Sequence, residues 1–529
     1  MEQEVAAAIS GIDIGVIVAY FAAVVVIGYF VSKQTSTGED LFLAGRSLTW
    51  GFVGFSLFAS NISSATLIGL MGAAYTSGIA VSSYEWMSGL SMIVLCFVFL
   101  PLYLRSRITT IPEFLELRYD RRCRLYFSAI TILLSILIDT AGGLYAGAVV
   151  LRTFFPEIEI WQVCVGIGLF AGIYTAAGGL KAVVFTDLMQ AIVLIVGCAV
   201  MSWLMFAELD YSWAKVVESV PNEEHLSMVL PVGDEMLPWT GLMLGVPLLG
   251  FWYWVTNQYI VQRVLGAKNL AHAQWGTLLG GFLKLLPLFI MVLPGAMAIS
   301  VVPDLDNGDK VFPVLATTIL PVGVTGLVLA GLIAAIMSSV DSTLNSASTL
   351  IVHDFVLPKR PDTSKERIGW MGRITTLVLM TLAILWAPQI ANFQGLWAYL
   401  QQAFSILVPP IVTIFLFGAF WRRGNADGAF WSLVVGHVIA LSAFIANQFG
   451  YWPFHFTTNV GIMTIVSSAI YVIVSLRTSP PDEEQVARTT WTPDIALAER
   501  VEGVPFILDT RVLSGVLIVA MLAVLIGFW

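Results

Sequence analysis

Long apolar segments recur along the whole chain, separated by short polar stretches. A helix needs about 20 mostly apolar residues to cross the hydrocarbon core of a bilayer. The pattern therefore predicts fourteen transmembrane helices in an all-α polytopic membrane protein, and the ninth is long enough to project beyond the bilayer. The predicted helices are 12–32, 48–74, 79–104, 125–151, 159–178, 181–206, 236–262, 272–301, 313–353, 369–388, 395–420, 427–448, 457–476 and 511–528.

Two of these helices carry an interruption. The second contains S-N-I-S-S at 60–64, and the seventh contains Pro247 and Gly250 before F-W-Y-W at 251–254. The two lie five helices apart and so run in opposite directions, as the broken first helices of an inverted five-plus-five repeat do. The predicted divisions are 1–47 with the first helix, 48–206 as repeat one, 207–235 as an acidic outer loop, 236–420 as repeat two, 421–476 with two further helices, 477–510 as a polar cytoplasmic segment, and 511–529 with the last helix.

Basic residues orient the predicted helices. Most lysines and arginines, Arg263 among them, fall in alternate loops, and six arginines crowd the loop after the third helix. The positive-inside rule places those loops in the cytoplasm and both termini outside. Only 12% of the residues are charged and mean hydropathy is +0.85, whereas soluble domains are about 25% charged. We predict a multi-pass protein of the cell membrane.

A polar stripe marks the ninth predicted helix. Residues 335–346 read A-I-M-S-S-V-D-S-T-L-N-S and bring five hydroxyls and Asp341 into an apolar segment. A carboxylate at mid-membrane costs about 2.5–3.5 kcal/mol on insertion scales, and oxygen ligands suit a hard cation such as Na⁺. Alternatively, the serines bond their own backbone and aid helix packing. Together with carbonyls freed at the break in the second helix, the stripe predicts a sodium site formed by Ala59, Ile62, Ala335, Ser338 and Ser339.

Charged and aromatic residues inside other helices indicate a second site. Glu85, Lys284 and Asp187 lie in predicted helices, and Trp252 to Trp254 adjoin the second interruption. Carboxylate and ammonium groups supply the acceptors and donors that a polyol needs, and aromatic rings can stack on a sugar or gate it. The alternatives are an interfacial glutamate, a snorkelling lysine, a helix-capping aspartate and an aromatic belt.

Enzyme motifs are absent from the sequence. There is no phosphate-binding Gly-Lys-Ser/Thr loop and no H-E-x-x-H, and the five histidines are dispersed. The glycine-rich stretch 175–181 lacks the strand–helix context of a nucleotide loop and is predicted to be a tight turn between helices. We therefore expect a protein that is not an enzyme, with neither nucleic acid nor an obligatory protein among its partners.

Several longer motifs resemble those of the sodium/solute symporter family, in particular the bacterial sodium/galactose and animal sodium/glucose cotransporters. The resemblance covers nearly the whole chain. The motifs are D-L-F-L-A-G-R-S-L at 40–48, A-S-N-I-S at 59–63, S-Y-E-W-M-S at 83–88, T-I-P-E-F-L at 110–115, G-G-L-K-A-V-V-F-T-D at 178–187, N-Q-Y-I-V-Q-R at 257–263, F-L-K at 282–284 and the serine helix.

The resemblance implies a fourteen-helix symporter with a LeuT-like 5+5 inverted-repeat core that imports a monosaccharide with Na⁺ by alternating access. The sodium site that it implies comprises the same five residues that the polar stripe and the helix break predict. A possible second sodium or proton site would comprise Asp187, Ser338, Asp341 and Ser342, with serine in place of Asp341 in most relatives. The implied substrate-binding residues are Asn61, Thr66, Tyr84, Glu85, Ser88, Tyr253, Lys284 and Gln401, with Tyr253 and Trp254 as the gate.

Two positions depart from the galactose relative. Thr66 stands where that relative has glutamine, and Gly250 where it has asparagine. Each lost side-chain hydrogen bond changes affinity by about 0.5–1.5 kcal/mol, so the resemblance does not identify the sugar. A symporter for sialic acid, myo-inositol, another carboxylate or an amino acid remains open, and so does a sodium channel or a sugar sensor.

Overall fold

The computed structural model is helical throughout the residues it describes, which are 9–33, 35, 37–234, 236–305, 307–392, 396–449, 451–452, 454–498 and 505–529, without the side chains of 65, 153, 309, 391–403, 448 and 496–498. Within that part the backbone forms no strand, only two isolated β-bridges. The main helices are α1 (Gly11–Ser32), α2 (Trp50–Asn61), α3 (Ser64–Ser77), α4 (Ile79–Arg105), α5 (Arg121–Arg152), α6 (Ile160–Glu208), α7 (Trp239–Phe251), α8 (Gln258–Leu265), α9 (Leu270–Ser300), α10 (Val324–Lys359), α11 (Lys365–Ile390), α12 (Leu396–Phe420), α13 (Ala426–Gln448), α14 (Phe456–Arg477) and α15 (Thr510–Gly527).

Ten of the described helices are long and apolar enough to cross a membrane, or eleven if the bent pair α2 and α3 counts as one crossing. The predicted number of fourteen is therefore not confirmed. One reason is α6, which runs for 49 residues where two helices were predicted. The predicted turn appears inside it as a kink at Gly179, where φ is 57°. A Cβ there would lie 2.3 Å from the carbonyl oxygen of Leu41, so the kink requires glycine.

The first predicted break is present between α2 and α3. Ile62 and Ser63 have extended backbone angles, and the chain bends by 58° between the two helices. The amides of Ser63 and Thr66 would bond the carbonyls of Ala59 and Ile62 in an uninterrupted helix. They bond the Asn61 carbonyl (3.0 Å) and the Ser63 hydroxyl (3.1 Å) instead. The break thus releases the two carbonyls that the sodium prediction requires.

The second break lies later than predicted. Pro247 is inside the continuous helix α7, which leads into a π-helical turn at Trp252–Thr256. The helix ends at Asn257, whose ψ of 123° is extended and whose side chain accepts a hydrogen bond from the amide of Tyr259. Proline removes one backbone donor without forcing the chain out of a helix, whereas Asn257 both leaves the helical conformation and caps the helix that follows.

Helix α10 lies at the centre of the structure. In the most apolar stretch of α10, 89% of the residues are buried. In the corresponding stretch of α1 the share is 22%. Helix α10 begins at Val324, because Gly323 has a φ of 88° and separates it from the short helix Val311–Thr318 that was predicted as part of the same segment. Asp13 of α1 accepts hydrogen bonds from the amides of Gly323 and Gly326, each at 2.7 Å, and so caps α10.

The predicted polar segment 477–510 contains two short described helices, Glu483–Thr489 and Pro493–Ala498, followed by a 3₁₀ turn at Phe506–Leu508. Of its arginines, Arg488 pairs with Glu484 at the surface. The described residues of this segment add no group to the buried sites described next.

Candidate functional site

A cavity of about 190 Å³ opens beside the break between α2 and α3 and beside the π-helical turn after α7. A water needs about 10–15 Å³ of cavity volume. The cavity therefore has room for on the order of ten waters, and hence for a small solute. Six of the eight predicted substrate-binding residues line it: Asn61, Thr66, Tyr84, Glu85, Ser88 and Tyr253.

Lys284 belongs to the same site although it does not line the cavity. Its Nζ donates hydrogen bonds to Asn61 Oδ1 and Glu85 Oε2, and its side chain is fully buried. The snorkelling alternative is therefore wrong. The ammonium also lies 5.5 Å from the ring centroid of Trp254. The eighth predicted residue, Gln401, is on α12, and its side chain lies outside the described part of the structure.

The predicted aromatic gate is on the cavity wall. Tyr253 and Trp254 both line it, together with Trp252 and Tyr259. The hydroxyl of Tyr259 donates to that of Tyr253 at 2.6 Å, which holds the phenol ring on the cavity wall. These aromatic residues surround the break itself, so the aromatic-belt alternative does not apply.

The two positions that depart from the galactose relative also lie on the wall. The Thr66 hydroxyl bonds its own turn, 3.0 Å from Ser63 Oγ and 3.3 Å from the Asn61 carbonyl. Gly250 faces Ser91, and a Cβ there would lie 2.9 Å from Ser91 Oγ. Neither position offers the side-chain amide that the galactose relative has there. The set of polar groups around this cavity therefore differs from that of the relative.

The serine face of α10 is buried and faces the break. Ser339 lines the cavity and donates to the carbonyl of Ala335 at 3.0 Å, and Ser338 Oγ lies 3.5 Å from Ser60 Oγ. Two of the predicted sodium ligands thus lie side by side, on a helix that contacts the broken one. The ion site itself stays a prediction.

The four residues of the possible second cation site meet in a buried hydrogen-bond network. Ser338 donates to Asp187 Oδ1 at 2.6 Å, and Ser342 donates to Asp341 Oδ1 at 3.1 Å. At its centre is Arg263, 3.3 Å from Asp187 and 1% exposed. We call Asp187 and Arg263, with the four serines around them, the arginine cluster; the serines are Ser56, Ser60, Ser338 and Ser342.

Arg263 corrects the sequence prediction, which counted it among the basic residues of a cytoplasmic loop. Each of its three guanidinium nitrogens donates: to Ser56, to the Tyr259 carbonyl, and to Ser60, Ser342 and Asp187. A buried charge requires such pairing, and Asp187 supplies it. Asp187 therefore does not merely cap a helix end.

Asp341 has different partners. The hydroxyl of Tyr174, on α6, donates to its Oδ2, and Ser342 donates to Oδ1. The side chain is fully buried. No ion pair of Asp341 with a lysine or arginine occurs in the described part of the chain. The network therefore contains two carboxylates and one guanidinium.

Sequence reasoning missed three residues of these sites: Arg263, Tyr174 and Asp139, which lines the cavity. Asp139 had a signal, because it is an ionisable residue in the middle of an apolar segment. Arg263 had none, since it directly follows the predicted helix 236–262 and so has the pattern of a loop residue. A tyrosine inside a helix such as Tyr174 gives none.

The sequence profile described as "Sodium:solute symporter family" matches residues 41–436. The chain belongs to this family. It is 34% identical over 543 residues to "Sodium/glucose cotransporter 4" of Danio rerio, covering 93% of this chain and 82% of that protein. It is 35% identical over 542 residues to the "Sodium/myo-inositol cotransporter" of Homo sapiens, covering 90% and 75%.

Solved structures support the symporter fold. A Na⁺-coupled sialic acid symporter in a substrate-bound outward-open state aligns with a TM-score of 0.79 at 23% identity, covering 90% of this chain and 99% of that one. Mhp1, a nucleobase-cation-symport-1 family transporter, aligns with a TM-score of 0.57 at 16% identity, covering 86% and 98%. Both show the LeuT-like architecture alone. The symporter is thus a multi-pass membrane transporter that couples a small solute to sodium, and it is not an enzyme.

Proposed function

We propose that this symporter imports a neutral monosaccharide of the glucose or galactose type together with Na⁺. The observation that carries the proposal is the cavity lined by Glu85, Asn61 and Tyr253, with Lys284 bonded to the first two. A polyol can both donate to the carboxylate and accept from the ammonium, and its ring can pack on the phenol. The similarity to sodium/glucose cotransporters supports the same substrate class.

Sodium would bind between the break and the serine helix, held by the carbonyls of Ala59, Ile62 and Ala335 and the hydroxyls of Ser338 and Ser339. Asp187, Ser338, Asp341 and Ser342, beside the guanidinium of Arg263, would then form the second cation site. Its two carboxylates and one guanidinium leave one negative charge, and an uncompensated buried charge is costly. A second sodium or a proton at Asp341 would remove it.

Transport would follow alternating access between the repeats 48–206 and 236–420, in the plasma membrane with both termini outside. Sodium bound at the break would hold α2 against α10 and favour solute binding. Inward movement of one charge across 100 mV supplies about 2.3 kcal/mol in addition to the concentration term, which is enough to accumulate the solute.

The nearest alternative is myo-inositol, because sodium/myo-inositol cotransporters are as similar to this chain as the glucose ones. The test is uptake into proteoliposomes, with and without an inward sodium gradient, of D-glucose, D-galactose, myo-inositol, N-acetylneuraminate and L-proline. Sodium-driven hexose uptake supports the proposal. Sodium-driven uptake of myo-inositol alone would change the sugar assignment, and indifference to every polyol would overturn the substrate class.

A further inference from the structure

The polar segment that follows α14 lies across the ends of α12 and α4. We call residues 478–495 the strap. It carries exposed charged side chains, yet Val486, Thr489, Thr490 and Ile495 are buried. A loop that only connected two helices would leave such residues at the surface. The strap therefore packs against the body of the protein.

The strap is anchored on α12. The backbone amide of Trp491 donates to the carbonyl of Ala419 at 2.9 Å, and its ring lies edge-on to that of Phe420 with 5.9 Å between the centroids. Ala419 is among the last four residues of α12, whose carbonyls have no partner inside the helix. Near the start of the strap, Asn425 Nδ2 donates to the carbonyl of Ser479 at 2.6 Å. Two points of the strap are thus held at the end of α12 and in the loop after it.

One donor of the strap reaches α4. The indole Nε1 of Trp491 donates to the carbonyl of Phe97 at 3.0 Å. Phe97 lies in the π-helical turn Leu95–Phe99, where the regular pairing of an α-helix is interrupted and carbonyls can accept from outside. The neighbouring carbonyl of Cys96 likewise accepts from Gln274 of α9, at 3.0 Å. Among the described residues of the strap, Trp491 is the one that hydrogen-bonds to α4.

The structure is closed at this end of α4. Arg46 donates to the carbonyl of Leu265, at the end of α8, and to that of Arg107, just after α4, at 3.2 and 3.3 Å. The two helix ends are therefore neighbours. Two residues before Leu265, Arg263 bonds Asp187 of α6. Helix α8 belongs to the second proposed repeat and α6 to the first, so the repeats are joined here.

Trp491 adds a second connection at the same end, between α4 of the first proposed repeat and α12 of the second. When the repeats part at this end, the bond between the indole and the Phe97 carbonyl has to break or the strap has to leave α12. A hydrogen bond that exists in one of two states and not in the other favours the first by the free energy it contributes.

We propose that Trp491 is a latch that holds the cytoplasmic side of the symporter closed and releases when that side opens. The proposal rests on the proposed function, which supplies alternating access and places the strap in the cytoplasm. It goes beyond that function by naming a bond, outside the solute and sodium sites, that sets the balance between the outward-facing and inward-facing states.

The test compares the sodium requirement at the two faces of the membrane. Right-side-out and inside-out membrane vesicles give the half-saturating sodium concentration for uptake from the outer and the cytoplasmic face, with the solute identified by the substrate panel. Partial population of the binding state raises the apparent dissociation constant in proportion. The outer-to-cytoplasmic ratio of the two concentrations therefore follows the ratio of inward-facing to outward-facing protein.

The variant Trp491→Phe deletes the donor and keeps an aromatic ring beside Phe420. We expect it to raise the outer-to-cytoplasmic ratio about threefold, the effect of one hydrogen bond. The matched control is Gln485→Met, which deletes the strap's hydrogen bond to the carbonyl of Tyr119 (3.0 Å) and leaves α4 untouched, so the ratio should stay as in wild type. Loss of folded protein lowers uptake at every sodium concentration and does not move the ratio. An unchanged ratio in Trp491→Phe, or an equal rise in Gln485→Met, would overturn the latch.

A second measurement needs no transport. Spin labels on cysteines introduced at two exposed positions, Arg105 at the end of α4 and Glu483 in the strap, report the distance between these elements in the purified protein. The four native cysteines are buried. We expect Trp491→Phe to raise the population of the longer distance about threefold. Identical distance distributions in wild type and Trp491→Phe would also overturn the latch.

The latch and the proposed function fail separately. If sodium drives hexose uptake and the ratio is unchanged in Trp491→Phe, only the latch is wrong. If sodium drives uptake of no solute in the panel, the proposed function fails, and the distance measurement decides the latch.

Discussion

The cavity pair, Glu85 and Lys284, and the arginine cluster around Asp187 and Arg263 are both buried ion pairs, but they differ in how fully their charges are satisfied. Every nitrogen of Arg263 donates to a serine, a carbonyl or a carboxylate. The ammonium of Lys284 has three N–H donors. The described residues give it two acceptors, Asn61 and Glu85.

The difference indicates separate roles. The guanidinium of the arginine cluster is paired inside the protein and holds α2, α6, α8 and α10 in one arrangement. A pair that borders a cavity retains hydrogen-bonding capacity that a solute can complete. Ser60 connects the two, since it accepts from Arg263 and also lines the cavity. The predictions that follow test this division, beginning with the largest effect.

Replacing Arg263 by glutamine should destabilise the folded protein most. Removing one partner of a buried pair costs about 3–5 kcal/mol, because the other charge is left uncompensated. The measurement is the thermal unfolding midpoint of the purified protein in detergent. The double variant Asp187→Asn with Arg263→Gln should recover much of the loss, and equal damage in the single and double variants would contradict the pairing.

Replacing Lys284 by methionine should abolish uptake while lowering the unfolding midpoint less than the Arg263 change. Methionine conserves most of the stem, and Glu85 borders a cavity that admits water. We expect uptake to fall at least about a hundredfold, because the variant loses a charged hydrogen-bond donor to the solute and leaves Glu85 without its partner. Uptake retained within a few-fold would remove Lys284 from the site.

Replacing Ser339 by alanine should abolish sodium-dependent uptake without a comparable loss of stability. The change deletes one hydroxyl next to the Ala335 carbonyl and leaves the arginine cluster intact. Uptake in proteoliposomes as a function of external sodium is the measurement. Full sodium-driven uptake in this variant would contradict the assigned ion site.

Replacing Asp341 by serine should lower the charge moved per solute without stopping transport. The change removes the one negative charge that Arg263 does not balance, and hence the reason for a second cation. Solute-induced current and solute flux, measured on the same proteoliposomes, give the ratio. An unchanged ratio would assign Asp341 a structural role only.

Replacing Gly250 by alanine should have the smallest effect. The added methyl group would meet Ser91 Oγ at 2.9 Å, and that side chain can rotate away, so the expected cost is below about 1 kcal/mol and the apparent affinity for solute should fall about threefold. Adding Ser91→Ala should restore it. If Ser91→Ala does not restore the apparent affinity, the contact between the added methyl group and Ser91 is not the cause of the loss.

Much of this arrangement could be predicted from the sequence because the membrane makes polar residues conspicuous. The serine helix, the break at 60–64 and the charges Glu85 and Lys284 were all recognisable as costly in an apolar segment. The structure places the cavity-lining members together. Their assignment to sodium and to sugar remains a prediction.

The rest depended on three-dimensional pairing. Arg263 follows a helix break and has the local pattern of a loop residue, so the charge rule placed it at the membrane surface. Only the fold brings it to Asp187, 76 positions away in sequence. The break at Asn257 was misplaced for a related reason, since proline marks a lost donor and not the point where the chain turns.

The contact between Asp13 and the amides at the start of α10 makes α1 a usable reporter. A fluorophore or spin label cannot be placed on α10 itself without disrupting a helix that is buried almost throughout. Helix α1 is mostly exposed, so it tolerates a probe, and two hydrogen bonds tether it to α10. A label on its outer face would therefore follow α10 through the transport cycle.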